Sequence, residues 1–210
     1  EEPPSYLVFL LIAESSGSLL ETVRSRAPSL RMQPLPPDTV AEIALERCPE
    51  AEELKRENKS AFRGIIMASD GSAGRAIELF SGKEKDAVTA RRTAAVGFCR
   101  IAASRGHGQE LLSLLQPYSS GKREEAARML NDLSLALRDL ALLKKSEKAP
   151  LRFFADADEA EEICGGYTLT RLLSLYDAVE NARDLLSRNA NTRLTVFGLM
   201  NAAEASEARR

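Results

Sequence analysis

Between residues 123 and 145 apolar side chains return every three or four positions, at Met129, Leu130, Leu133, Leu137, Leu140 and Leu143. That spacing puts all six on one side of a 3.6-residue helix, as a stripe wide enough to face a bundle core. The chain supplies candidates to surround it. Amphipathic patterns predict helices over residues 87–104, 109–115, 122–145, 157–163, 169–187 and 192–204. Glycine and proline mark the gaps, at Gly106, Gly108, Pro117, Gly121, Pro150 and Gly165-Gly166. No internal repeat recurs, so a solenoid is not indicated.

Four helical patterns, over residues 39–47, 51–57, 60–69 and 75–80, run up to Gly82, and residues 36–82 are expected to pack as a smaller three-helix bundle. Pro37-Asp38 suits a helix start, because proline is tolerated in the first turn and an acid complements the positive end of the dipole. Asp70-Gly71 suits a helix end, where a residue must take positive φ cheaply. Ser72 or Gly74 opens the last helix. The charged stretch Lys83-Glu84-Lys85-Asp86 marks a domain boundary that runs directly into the next helix.

The first 35 residues have a different pattern. Residues 6–12 are almost continuously apolar, the pattern of a strand buried on both faces of a parallel sheet. Residues 19–23 form a short helical turn, and residues 30–33 alternate apolar and polar before Pro34, which predicts a second short strand. Two short strands do not make a sheet, so residues 1–35 are expected to be the end of an α/β domain whose earlier strands precede this sequence. The expected fold is therefore mainly α: a remnant of an α/β core, a three-helix bundle over residues 36–82, and an all-helical domain over residues 83–210.

Composition narrows the function. At 210 residues, 44% hydrophobic and 29% charged, the chain can bury one or two modest cores. A net charge of −2 gives no footprint for a protein that grips nucleic acid by phosphate contacts alone. Having no Trp and 5% aromatic residues leaves little for base stacking. Cys48, Cys99 and Cys164 are odd in number, with no C-x-x-C spacing, which argues against a disulfide framework or a zinc site and fits buried thiols in a reducing cytoplasm. The longest apolar run is too short to span a bilayer, so no membrane association is expected. Gly82-Lys83 and Gly121-Lys122 are not phosphate loops, because no glycine stands five residues before and no Ser or Thr follows the lysine. His107, the single histidine, lies between two glycines without a catalytic partner in the sequence. The basic pairs Arg91-Arg92 and Lys144-Lys145 read as solvated faces.

Several short segments, in order, resemble one family. They are Glu1-Glu2-Pro3-Pro4 ahead of the apolar run, Thr22-Val23-Arg24-Ser25-Arg26, Gly71-Ser72-Ala73-Gly74-Arg75-Ala76, Leu137-Arg138-Asp139-Leu140, and Asn189-Ala190-Asn191-Thr192-Arg193-Leu194. Together they resemble the delta-prime family of bacterial clamp-loader subunits, members of the AAA+ class in the DNA polymerase III holoenzyme. Ala27 stands where the family's Ser-Arg-Cys motif has its cysteine, and Ile12-Ala13-Glu14-Ser15 lacks the threonine of ATP-hydrolysing relatives. The second departure favours the non-motor subunit.

The resemblance implies a remnant of the AAA+ core over residues 1–35, an AAA+ lid over 36–82 and a helical collar for oligomerisation over 83–210. Arg26, with Ser25 as its motif partner, would be an arginine finger reaching ATP bound by a neighbouring subunit; Arg24 is its local competitor. Arg75 would be a sensor-2-like arginine, although packing of lid on core explains it equally well. The implied partners are the gamma/tau and delta subunits, with the sliding clamp and primed DNA reached through the complex. No cofactor and no metal is expected in this chain, since the family's phosphate loop and zinc module belong to the earlier part of the core. Two other readings stay open: a gamma/tau-type ATPase subunit, and a helical scaffold unrelated to replication.

Overall fold

The computed structural model describes residues 4, 6–13, 19–82, 84–104, 106–146 and 149–205, without an account of the Ser60 side chain. Glu1, Glu2, Pro3, Glu14, Ser15 and Lys83, used in the sequence reading, lie outside these residues. The described residues form eleven helices and no strand: α1 Glu21–Arg24, α2 Pro37–Arg47, α3 Pro49–Glu57, α4 Lys59–Ala68, α5 Ala73–Ser81, α6 Glu84–Ile101, α7 Gly108–Ser120, α8 Arg123–Leu143, α9 Ala157–Gly165, α10 Leu169–Ser187 and α11 Thr192–Glu204. Contacts divide the chain into residues 1–34 and residues 35–210.

In the first unit the helical turn forms as α1, but the strands expected over residues 6–12 and 30–33 do not. A strand requires a neighbouring edge to take its backbone N–H and C=O groups, and none is present among the described residues. Tyr6, Val8, Leu10 and Ile12 are each more than four-fifths exposed, as are Leu30 and Met32, so the pattern that predicts burial has nothing here to be buried against.

The second unit holds two apolar cores. Each of the four helical patterns in residues 36–82 forms its own helix, α2 to α5, so the expected three-helix bundle has four; Pro37 and Pro49 each start one, with Pro36 and Cys48 as N-caps. Asn58 caps α4 by accepting the Ala61 N–H, and Ser72, rather than Gly74, caps α5 by accepting that of Arg75. Asp70 and Gly71 both take positive φ, at 50° and 78°, and the Gly71 carbonyl accepts the Leu35 N–H at 2.9 Å. Val40, Phe62, Ile65, Leu79 and Phe80 fill the core of this bundle, with Phe62 and Phe80 stacked at 5.3 Å.

The larger core surrounds α8. Met129, Leu130, Leu133, Leu137 and Leu140 are at most 2% exposed, and α8 packs against α6, α7, α9, α10 and α11. Burial of each such side chain contributes about 1.5–3 kcal/mol. Pro117, expected to mark a gap, lies inside α7 instead. Its ring removes one helical hydrogen bond. The Ser119 and Ser120 hydroxyls both bond the Gln116 carbonyl beside it, and Leu115 anchors the turn in the core at 1% exposure.

Two arginines close helix ends in this core. Arg123, at the start of α8, donates to Asn189 Oδ1 and to the Leu186 and Ala190 carbonyls, at 3.4 and 2.8 Å for the last two. Arg171 donates to the carbonyls of Ala202, Ala203 and Ala205 at the end of α11. Both place a cation against carbonyls at or just beyond a helix C-terminus, where the dipole favours positive charge.

Candidate functional site

Ser25 is the C-cap of α1; its N–H donates to the Glu21 carbonyl at 2.9 Å and its hydroxyl to that of Thr22 at 3.3 Å. Arg26 follows, its own N–H bonded to the Val23 carbonyl at 3.1 Å. The turn therefore uses the backbone and leaves the Arg26 side chain exposed, and no carboxylate pairs with its guanidinium among the described residues. Arg24 is exposed two positions earlier. A permanently charged, planar group presented this way suits bidentate capture of phosphate or carboxylate oxygens.

Arg75 occupies the first turn of α5, where its backbone N–H is already held by Ser72 Oγ. Its guanidinium lies 3.8 Å from Glu84 Oε2, with both side chains about half exposed. An exposed pair at that distance contributes little to stability. Its position nonetheless spans the join between α5 and α6 and borders an open cleft with Glu78, Leu79 and Gly82. Ser25 and Arg26 belong to the first unit and Arg75 to the second.

The pair Arg91-Arg92 is not a solvated face. Arg91 is 7% exposed, and its Nε bonds Asp132 Oδ2 on α8 at 2.7 Å. Glu125 adds a second carboxylate at 3.6 Å from Nη1, beyond hydrogen-bond reach. Arg92 reaches the other way, donating to the Phe153 carbonyl with its guanidinium 4.1 Å from the Phe153 ring centroid. Burial lowers its pKa to about 10, which leaves it charged at neutral pH. Burial of a cation needs a carboxylate or carbonyl to meet it, and these partners lie 41 and 61 residues away in sequence, beyond any local pattern.

Asp139, within the Leu137-Arg138-Asp139-Leu140 motif, organises the segment that Arg92 contacts. The carboxyl is fully buried, and Oδ2 accepts the N–H groups of Arg152, Phe153 and Phe154 at 2.8, 2.6 and 3.3 Å. Oδ1 takes Arg138 Nη1 at 3.0 Å. Burial nevertheless raises its pKa above the usual carboxylate value, against the pull of those three N–H groups and of Arg138. The motif Asn189-Ala190-Asn191-Thr192 also has a local cause. Asn189 takes φ 63° after α10, the Ala190 N–H reaches back to Leu185, and Asn191 caps α11 by accepting the Leu194 N–H.

The remaining chemical groups are committed to structure. The backbone N–H groups of Gly106 and His107 donate to the Glu204 carboxylate, and His107 Nδ1 lies 3.0 Å from Glu110 Oε1. Cys48, Cys99 and Cys164 are buried and unpaired, and burial pushes the Cys99 thiol up to about 12, far from a reactive thiolate. Lys144 and Lys145 are exposed. Among the described residues no group of three His, Cys, Asp or Glu side chains could hold a metal, and no helix is long and apolar enough to cross a membrane. Searches against protein-family models, curated proteins and solved structures find no match to this chain.

Proposed function

We propose that the protein is a non-motor, delta-prime-type subunit of a bacterial replicative clamp loader, working in the cytoplasm. In this reading residues 1–35 close an AAA+ core, residues 36–82 are its lid, and residues 83–210 are the collar that assembles with gamma/tau and delta subunits. Arg26 offers its guanidinium to ATP held by a neighbouring motor subunit, which uses the nucleotide to open the sliding clamp on primed DNA. The observation that carries the reading is the exposed Ser25-Arg26 pair, set at the end of α1 with no carboxylate on the arginine among the described residues. The ordered run of motifs supports it, as does the helical bundle around α8.

The test is assembly. Mixed with purified motor and delta subunits, the protein is expected to co-elute as a complex held by apolar helix faces, which resists high salt as charge-held complexes do not. Elution apart from both subunits at micromolar concentration overturns the proposal. The chain alone is expected to turn over no ATP, because its sequence contains no G-x-x-x-x-G-K-[ST] loop. Turnover that copurifies with it through successive columns would point instead to the motor-type reading.

A further inference from the structure

Within residues 35–210 the two apolar cores meet along one helix. Val88, near the start of α6, is buried with Phe62, Ile65 and Phe80, whereas Ala95, Phe98 and Cys99 further along are buried with the α8 core. Packing of α4 and α5 on α6 would by itself leave the small bundle attached to the larger one through a single helix, about which it could pivot. A second connection is present, and it is polar. Arg63 of α4 donates to the Ala155 carbonyl at 3.0 Å, and Arg92 of α6 donates to the Phe153 carbonyl while lying over its ring. Gly64 gives Arg92 its path, since a Cβ there would stand 3.1 Å from Arg92 Nε.

The far side of this connection is rigid. Residues 151–155 form no helix, yet Asp139 fixes three consecutive N–H groups of the segment to α8, and Phe153 and Phe154 are sunk in the larger core at 1% and 3% exposure. The near side is held by fewer bonds: Arg63 and Arg92 each reach one carbonyl of the segment. Between α4, α6 and the segment lies an open cleft of about 190 Å³, lined on its polar side by Asn58, Thr89 and Thr93 and on its apolar side by Ile65, Val96 and Phe153. A join made of two arginine-to-carbonyl bonds beside open space can break while the helices of both bundles stay packed, at the cost of uncovering the Phe153 ring under Arg92.

We propose that residues 151–155 are a latch: Asp139 holds them against α8, and Arg63 and Arg92 fasten the small bundle to them, so that α2–α5 and α6–α11 move as one body while it is closed. Opened, the small bundle swings on the first half of α6. Any partner that contacts both bundles can then bias the two positions, by as much as its contacts differ between them.

The experiment is a distance distribution between nitroxide labels at Glu53→Cys on α3 and Asn181→Cys on α10, both exposed positions in a chain whose own cysteines are buried. The parent protein is expected to give one narrow distribution, and the Arg63→Ala/Arg92→Met variant one roughly twofold broader or split in two. Arg63→Ala alone, a change at an exposed side chain, is expected to give an intermediate width. Hydrogen exchange at the Phe153 and Phe154 amides supplies the folding control, because their bonds to Asp139 are untouched by either substitution. An unchanged distribution in the double variant, with those amides protected, overturns the latch and leaves α6 packing as the whole connection. A broad distribution in the parent overturns it too. Loss of protection in the double variant passes the decision to Arg63→Ala, where an unchanged width counts against the latch.

Discussion

Asp139→Ala is expected to destabilise residues 35–210 by about 3–5 kcal/mol, the sum of orphaned donors and a small cavity. The substitution removes the acceptor shared by the Arg152, Phe153 and Phe154 N–H groups. Phe153 and Phe154 are almost completely buried, so water cannot replace the lost oxygen without the segment leaving the core. A loss of that size is a large share of the roughly 5–15 kcal/mol that holds a domain together. It should lower the thermal midpoint by roughly 10 °C for a unit of this size. Arg138 moderates the effect little, because its guanidinium is one-third exposed and can turn to solvent. A midpoint within 2–3 °C of the parent, roughly what 1 kcal/mol produces, would show that residues 151–155 find other partners.

Asp139→Asn separates charge from shape. Burial raises the Asp139 pKa, so the folded protein holds this proton more tightly than the unfolded chain does. The linked contribution is then fully present below the ordinary carboxylate value of about 3.9 and is lost as pH rises through the raised one. The stability of the parent minus that of the Asp139→Asn variant, measured by denaturant titration from acid upward, should fall with pH across that window and stay flat beyond it. A difference that rises with pH would mean that the three N–H groups outweigh desolvation and hold the carboxyl below its usual value.

Helical periodicity locates the ends of α2–α6 and α8–α11 to within three residues, because each needs only its own apolar face and its own cap, whereas α7 runs five residues past its pattern, through Pro117. Asp70-Gly71 and Ser72 show how local that information is: positive φ and a hydroxyl acceptor are properties of the residue standing there. The strands over residues 6–12 and 30–33 rest on equally regular patterns and are not formed, since a strand's hydrogen bonds belong to its neighbour. Arg91-Arg92 departs from its pattern for a related reason. Two adjacent arginines look alike in sequence, and only Asp132 and the Phe153 carbonyl, from distant helices and loops, decide that one is buried and the other spans the join. Asp139 enters the sequence reading only as part of a family-like motif, and its role as a buried acceptor depends on residues 152–154, which helical periodicity does not place. Ser25 and Arg26 are the reverse case, found by motif and placed by the structure in a solvent-facing turn, where the proposed chemistry depends on a subunit beyond this chain.

Arg26→Ala is expected to lower the ATPase rate of a clamp-loader complex reconstituted with motor and delta subunits, clamp and primed DNA by roughly a thousandfold, the scale on which an arginine finger acts in phosphoryl transfer. The backbone of the turn is bonded through Ser25 and Val23, so removing this exposed side chain should leave folding and assembly unchanged. Arg26→Lys sharpens the test. Lysine keeps the charge but loses the planar fork that holds two γ-phosphate oxygens at once, so it should recover only a small part of the rate. Arg24→Ala, two positions away, controls for general loss of positive charge and is expected to alter turnover less than a few-fold if Arg26 is the finger. A large effect from Arg24→Ala with none from Arg26→Ala would move the role within the same turn. No effect from either, in a complex that still assembles and loads clamps, would leave the collar as the working part of the protein and remove the in-trans chemistry assigned to it.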